Sequence, residues 1–238
     1  VVFHGVAVHA SGLSLKGGHG WVYRDVTLEA GPGSLTAVAG QAGSGRTSLL
    51  LTLAGRMKPT GGTLAVGGHH GPGRIRRVAA LGLVDGVNDL DGALSVREHL
   101  RERVRSPLWN RRQAARATAA LTAAGLERSP GDRTLIRALD REERVRLGVA
   151  LALLDEPGLL ALDDVDAGLG GDRLDGLWAT LADLAGQGLT VVASCTESGA
   201  AATLRLPPRE PGASESAEGP KGRDGESGPW AVQGGEDR

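Results

Sequence analysis

The run Gly40-Gln41-Ala42-Gly43-Ser44-Gly45-Arg46-Thr47-Ser48 has the residue types and spacing of a phosphate cradle. Its glycines let backbone N–H groups turn inward on a polyphosphate. A helix starting here adds the partial positive charge of its N-terminus. Thr47 offers a hydroxyl to Mg2+. Arg46 stands where the pattern places a lysine. It keeps the charge, but its guanidinium is a planar fork rather than a compact ammonium. Nucleotide binding is therefore expected to survive the change more readily than catalysis. A chance match in a chain rich in glycine and arginine is the competing reading. The surroundings weigh against it, because apolar residues 35–39 precede the loop and 49–54 follow it. That order reads strand, glycine loop, helix.

The loop needs a frame to hold it. Residues 6–9 and 21–28 alternate as half-buried strands do, and Gly17-Gly18-His19-Gly20 breaks them as a hairpin turn would. Gly31-Pro32-Gly33 turns the chain into the strand before the loop, and residues 58–62 form another turn before a strand at 63–66. The apolar run 78–84 is short enough for a buried strand. Ser95 with Glu98 resembles a capping box opening a helix, Pro107 interrupts it, and residues 111–124 form a second helical stretch. The arginines there read as a solvated face. Asp140 with Glu143 starts the next helix. Residues 159–162 form a buried strand ending in Asp163-Asp164. Leu174, Leu177, Trp178, Leu181 and Leu184 then make an apolar stripe at helical spacing, and 189–194 is the next strand. Strand and helix alternate through this half, which predicts an α/β fold with a parallel sheet flanked by helices. From Pro207 the chain turns to Pro, Gly, Glu and Ser, so residues 207–238 are expected to be a disordered tail.

Bulk composition narrows the classes. The sequence has 238 residues, enough for a proper core, and a net charge of -1 gives no general electrostatic case for nucleic acid. A single cysteine, Cys195, excludes a disulfide framework within the chain and weakly fits a reducing, cytosolic location. No run of about eighteen apolar residues exists. No export signal is visible after Val1. Lysine occurs only at 16, 58 and 221 while arginine is abundant, the bias of GC-rich coding. Part of the change at Arg46 is attributed to that bias.

Taken together, residues 5–206 resemble the nucleotide-binding domain of an ABC transporter. The loop matches its Walker A, and 159–163 with Asp164 its Walker B. Asp166-Ala167-Gly168-Leu169-Gly170 resembles the D-loop. Leu139 stands 24 residues before Asp163, the family's spacing from its LSGGQ motif to Walker B. The resemblance implies a P-loop NTPase of ABC type. It would have a mostly parallel core sheet, an N-terminal antiparallel β subdomain and a small helical subdomain at about 86–138. It implies ATP and Mg2+ as ligands, with Thr47 and Asp163 at the metal. It also implies a homo- or heterodimer of such domains, docked through the region after Asp85 on an integral-membrane subunit at the inner face of the membrane.

Five motifs depart from the family pattern. Besides Arg46, the catalytic glutamate becomes Asp164, one methylene shorter. The switch histidine becomes Thr196, which can donate a hydrogen bond but has no imidazole. The Q-loop glutamine becomes Asp85, which could still touch Mg2+. LSGGQ becomes Leu139-Asp140-Arg141-Glu142-Glu143. There Asp140 and Glu142 bring like charge toward a phosphate, and Arg141 offsets them in part. Asp140 nevertheless remains a good helix cap. Trp21, Tyr23 and His19 are alternatives for a base-stacking ring. The expected function is an ATP-binding transporter subunit with reduced hydrolysis. The alternatives are a degenerate domain with little turnover and a P-loop protein unrelated to transport.

Overall fold

Short apolar runs separated by amphipathic helices bury best as a parallel sheet with helices on its faces. The structure, a computed structural model, describes residues 3–104, 110–126, 133–197 and 202–208. The first half carries β1 (Val8–Gly17), β2 (Gly20–Ala30), β3 (Leu35–Ala39), α1 (Arg46–Leu53), β4 (Gly61–Val66), α2 (Pro72–Val78) and β5 (Ala79–Leu81). The second carries α3 (Val96–Val104), α4 (Arg111–Ala123), α5 (Arg141–Leu153), β6 (Leu159–Leu162), α6 (Asp172–Gly186), β7 (Thr190–Cys195) and β8 (Ala202–Arg205).

Five strands form the parallel sheet in the order β5-β6-β7-β3-β8. The order β2-β1-β4 makes a separate antiparallel sheet, with the β1–β2 hairpin turning at Gly17 and Gly20. Successive side chains of a strand point to opposite faces, and the parallel sheet thereby divides two cores. On one face lie Ala37 and Ala39 of β3, Leu160 and Leu162 of β6, and Val191 and Ala193 of β7, covered by α5 and α6. On the other lie Val38, Leu159, Ala161 and Val192, covered by α1 and the antiparallel sheet. Leu177, Trp178, Leu181 and Leu184 of α6 are buried as the stripe predicts, while Leu174 is half-buried.

Register sets up the site. Ala39 pairs with Cys195 and Leu162 with Ala193, so β3, β6 and β7 end side by side. Ligands of open α/β sheets gather at such carboxyl ends.

The differences from expectation have local causes. β1 is longer than alternation suggests, because register shifts between Ala10 and Lys16 reset its pattern. The 78–84 run gives a strand of only three residues. Gly82 N still donates to Ala161 O at 2.8 Å before the chain leaves the sheet. Helix α2 has one buried side chain, Ile75, and so no readable period. The cap of α4 is Asn110, which exchanges hydrogen bonds with Gln113. Pro107 and residues 209–238 of the expected tail lie outside the described residues.

Gly148 lets α5 approach the end of β5, since a Cβ there would sit 2.7 Å from Leu83 N. Gly148→Ala is expected to lower the free energy of unfolding by about 1–3 kcal/mol, read by urea denaturation.

Candidate functional site

The turn after β3 is a tight nest. Gly40 N donates to Cys195 O at 3.1 Å, which anchors the loop to β7. Gly45 has φ +91°, and a Cβ on it would lie 2.4 Å from Val22 O, so only glycine fits against β2 here. Gly45 also caps α1, and no side chain fills that cap. The first-turn N–H groups of α1 are thus left for an anion. Two side chains share this state. Ser44 Oγ and Arg46 Nη1 are buried and have no hydrogen-bond partner among the described residues. Buried polar groups are normally paired, so an orphaned hydroxyl and one orphaned nitrogen of a guanidinium together mark a place for a ligand.

The acid pair faces this loop. Thr47 Oγ1 donates to Asp163 Oδ2 at 2.6 Å, and Ser194 Oγ donates to Asp163 Oδ1 at 2.5 Å. Ser194 Oγ in turn accepts from Asp164 N at 2.9 Å. Arg46 Nη2 reaches Asp164 Oδ1 at 2.6 Å. Asp164 holds φ +42°, a conformation that favours glycine. Burial pushes its carboxyl above the usual aspartate range, and neighbouring Asp163 adds to this. Arg46 and Arg141 pull it back, while Asp166 pushes the same way as Asp163. Thr196, exposed at the end of β7, is fixed through its backbone, because Asp166 Oδ2 accepts Thr196 N at 2.7 Å.

Asp85 takes a different partner, the guanidinium of Arg141, at 3.2 Å. The α5 N-terminus is the reverse of the α1 one. Asp140 Oδ1 accepts from Glu143 N at 2.9 Å, and Glu143 Oε2 accepts from Asp140 N at 3.0 Å, so carboxylates already occupy this helix start. Arg173 of α6 pairs with Asp140 and, at 2.8 Å, with Glu142. Arg146 also reaches Glu142 at 2.8 Å, while bonding Ala124 O and Thr180 Oγ1. Like charge at Asp140 and Glu142 is therefore answered within the chain. The Glu143 backbone N–H holds the Asp140 carboxyl low, burial opposes it, and Arg173 adds to the lowering. Burial works to raise the Glu142 carboxyl, but Arg173 and Arg146 outweigh it and hold it low.

A family profile for ABC transporters matches residues 23–167, more than half of the chain. The chain belongs to the ABC transporter family. It is 36% identical over 189 residues to the cytochrome c biogenesis ATP-binding export protein CcmA of Bordetella parapertussis, covering 74% of this chain and 79% of that one. It is 33% identical over 175 residues to the ribose import ATP-binding protein RbsA 3 of Rubrobacter xylanophilus. That match takes 70% of this chain but only 35% of the relative's length. The chain spans 60% of the Nod factor export ATP-binding protein I of Rhizobium johnstonii, at 28% identity over 188 residues and 79% of this chain. Among solved structures, cbiO1 of Clostridium perfringens superposes with TM-score 0.69 at 22% identity, over 80% of this chain and 78% of that one. Dimeric MJ0796 bound to ADP and Pi gives 0.68 at 19%, over 84% and 94%. These likenesses show an ABC-type P-loop NTPase fold.

Hydrogen bonds and one ion pair join Arg46, Thr47, Asp163 and Asp164 of this ABC domain into one cluster. Sequence reasoning picks out Asp166 as part of the D-loop match but not Ser194, Arg146 or Arg173. Ser194 carried a signal, a hydroxyl among the apolar residues of β7. The arginines carried none in a chain with so many. Of the candidate stacking rings, Tyr23 is buried with its hydroxyl 2.7 Å from Thr52 Oγ1, so it belongs to the core. Trp21 is partly exposed, with Lys16 and Arg24 at 5.9 and 5.4 Å from its ring centre. It borders a cavity of about 250 Å3 shared with Ser44 and Leu206.

Arg146→Met is expected to cost about 3 kcal/mol in unfolding free energy, because it strips partners from a buried network. Arg173→Ala should destabilise less, and with a pH signature. Asp140 and Glu142 have native pKa values below the usual 3.8 and 4.5, so their contribution is complete above those values. It is lost as pH falls through the lower native ones. The gap in Tm between parent and Arg173→Ala should be full at pH 7 and close below about pH 4.

Proposed function

We propose that this chain is the ATP-binding part of an ABC transporter, that it holds ATP with Mg2+, and that its own hydrolysis is slow. The observation carrying the nucleotide assignment is the pair of orphaned buried groups, Ser44 Oγ and Arg46 Nη1, beside the open N-terminus of α1. In this reading, N–H groups from Gln41, Ala42, Gly43, Gly45 and Arg46 and the Ser44 hydroxyl surround the β- and γ-phosphates, with Gly40 anchoring the loop to β7 and Thr47 and Ser48 closing the turn. ATP is preferred over other nucleotides because the curated relatives it matches are ATP-binding proteins.

Thr47 and Asp163 present hydroxyl and carboxylate oxygens 2.6 Å apart, the hard donor set that suits Mg2+. Thr47 and Asp163 would hold the Mg2+, whose positive charge would neutralise negative charge that builds during transfer. Asp164 orients the attacking water, and Thr196 donates toward the γ-phosphate. Asp85 becomes a further metal contact only after leaving Arg141. Slow turnover follows from three features: a carboxylate one methylene short, a threonine without an imidazole, and an Arg46 that engages Asp164. The same ion pair favours the second reading, a domain that binds ATP with little or no hydrolysis and serves a regulatory or structural role.

The partner is a separate integral-membrane subunit, which would hold this chain peripherally at the inner face of the membrane. No helix among the described residues is long and apolar enough to cross a membrane. A cleft of about 260 Å3 opens between the end of β5, α3 and α5, bordered by Leu81, Leu83, Asn88, His99 and Arg103. It lies beside the Asp85 segment and suits an inserted helix of that subunit. Residues 1–206 form the ATP-binding unit, with a helical part at about 86–138, and 207–238 form a tail. A homo- or heterodimer of such units closes over ATP.

Purified protein should bind ATP, and Arg46→Ala should weaken that binding at least about tenfold. Arg46→Lys should retain binding and raise turnover. If Arg46→Ala binds ATP as tightly as the parent, the P-loop assignment fails. Recovery of no integral-membrane protein with the chain from native membranes would count against the transporter assignment.

A further inference from the structure

Arg46 occupies a position from which it can serve two anions. Its Nη2 lies on Asp164, and its Nη1 is buried without a hydrogen-bond partner among the described residues. The guanidinium is buried while Asp164 is half-exposed. Asp163, the other nearby acid, is not available to it. Both oxygens of Asp163 accept hydroxyl protons, one from Thr47 and one from Ser194. The Asp164 backbone is pinned as well, its N–H held by Ser194 Oγ. Any rearrangement on ligand binding therefore falls to the Arg46 side chain and to the Asp164 χ angles, not to the strands.

We propose that the Arg46–Asp164 ion pair is a latch on the empty site. Nucleotide phosphate must take Arg46 from Asp164, and that exchange frees the Asp164 carboxylate to orient water. The inference rests on the nucleotide reading above and adds a cost and an order of events to it. Two substitutions relative to the family pattern act as one. The longer, forked cation reaches across to the shorter acid. With the guanidinium engaged, the binding-competent state is only a fraction of the population, and apparent affinity is reduced by that fraction. Phosphate oxygens accept from both Nη atoms, which satisfies the donor that the latch leaves orphaned. Asp164 is thus a positioning residue for binding as well as a candidate in the chemistry.

The test is a double-mutant cycle on ATP affinity with EDTA present, which stops turnover, using the parent, Asp164→Asn, Arg46→Met and the double variant. The latch predicts that Asp164→Asn tightens ATP about five- to tenfold in the parent and changes it by less than about twofold beside Arg46→Met. An equal gain in both backgrounds means that Asp164 merely repels phosphate, and it overturns the latch. No gain in the parent also overturns it, while leaving the nucleotide reading intact if the parent binds. Absence of ATP binding by both the parent and Asp164→Asn removes the nucleotide reading and the latch with it. A second measurement covers the case in which Arg46→Met binds too weakly to titrate. Melting temperatures of the four ligand-free proteins should be non-additive, because the pair is formed without nucleotide. Additive shifts overturn the latch.

Discussion

The carboxylate of Asp163 holds together three segments far apart in sequence. It accepts from Thr47 at the start of α1 and from Ser194 on β7, and it follows directly on β6. This is possible only because the parallel register ends β3, β6 and β7 side by side. The two cores fix that register. Moving one strand by a single residue would send every side chain to the wrong face, exchanging Leu160 and Leu162 with Leu159 and Ala161 between unlike surroundings. Packing thus sets the distance from the acid to the loop, and the hydroxyls refine it. Ser194 extends the arrangement by one step, since its oxygen also fixes the Asp164 backbone in a left-handed conformation.

The two helix N-termini that an ABC domain turns toward phosphate are in opposite states here. At α1 the cap is a glycine with no side-chain acceptor, and buried donors stand idle around it. At α5 the cap is an aspartate, its reciprocal partner is a glutamate, and two arginines close the outside. A phosphate approaching α1 meets unused donors. One approaching α5 would have to displace two carboxylates that already occupy the favourable positions for negative charge. The asymmetry follows from five side chains, Asp140, Glu142, Glu143, Arg146 and Arg173, and requires no change in the helix itself.

Much of this was readable before any coordinates. The strand, loop and helix around Gly40–Ser48 carry strong local signals, as do the capping boxes at Ser95 and Asp140, because cap chemistry acts within four residues. The acid pair was legible for the same reason, as charge ending a buried run. Contacts spanning the chain were not. Nothing near position 46 indicates that its charge rests on a residue 118 places away, and nothing near 173 indicates that it neutralises 140 and 142. Such pairs are set by tertiary proximity, and a chain rich in arginine offers too many candidates for each acid. Local pattern likewise misjudged lengths. Residues 78–84 are apolar throughout, yet only three form strand, since hydrophobicity reports burial and not pairing. Tyr23 appeared beside Trp21 as a possible stacking ring, but its alternation places it inward, against Thr52.

The departures from the family pattern share one physical character. Asp85, Asp140, Arg141 and Glu142 put charge where the pattern has neutral residues, while Arg46 and Asp164 keep the charge of the pattern's lysine and glutamate in another shape. Each of these charges meets an opposite one inside the same chain: Arg46 with Asp164, Asp85 with Arg141, and Asp140 and Glu142 with Arg173. In the family pattern a neutral glutamine or serine leaves its hydrogen-bonding capacity for ligand, water or partner. Here that capacity is spent within the fold, and the ligand-free protein is electrostatically complete almost everywhere around the site. Pairs as exposed as Asp85 with Arg141 contribute little to stability, so they can open at small cost. The Arg46 pair is the exception because its guanidinium is buried. Opening it without a replacement anion would strand a charge in low dielectric. A phosphate arriving at α1 would supply that replacement, so a contact that resists opening in the empty protein is also one that nucleotide is chemically equipped to break.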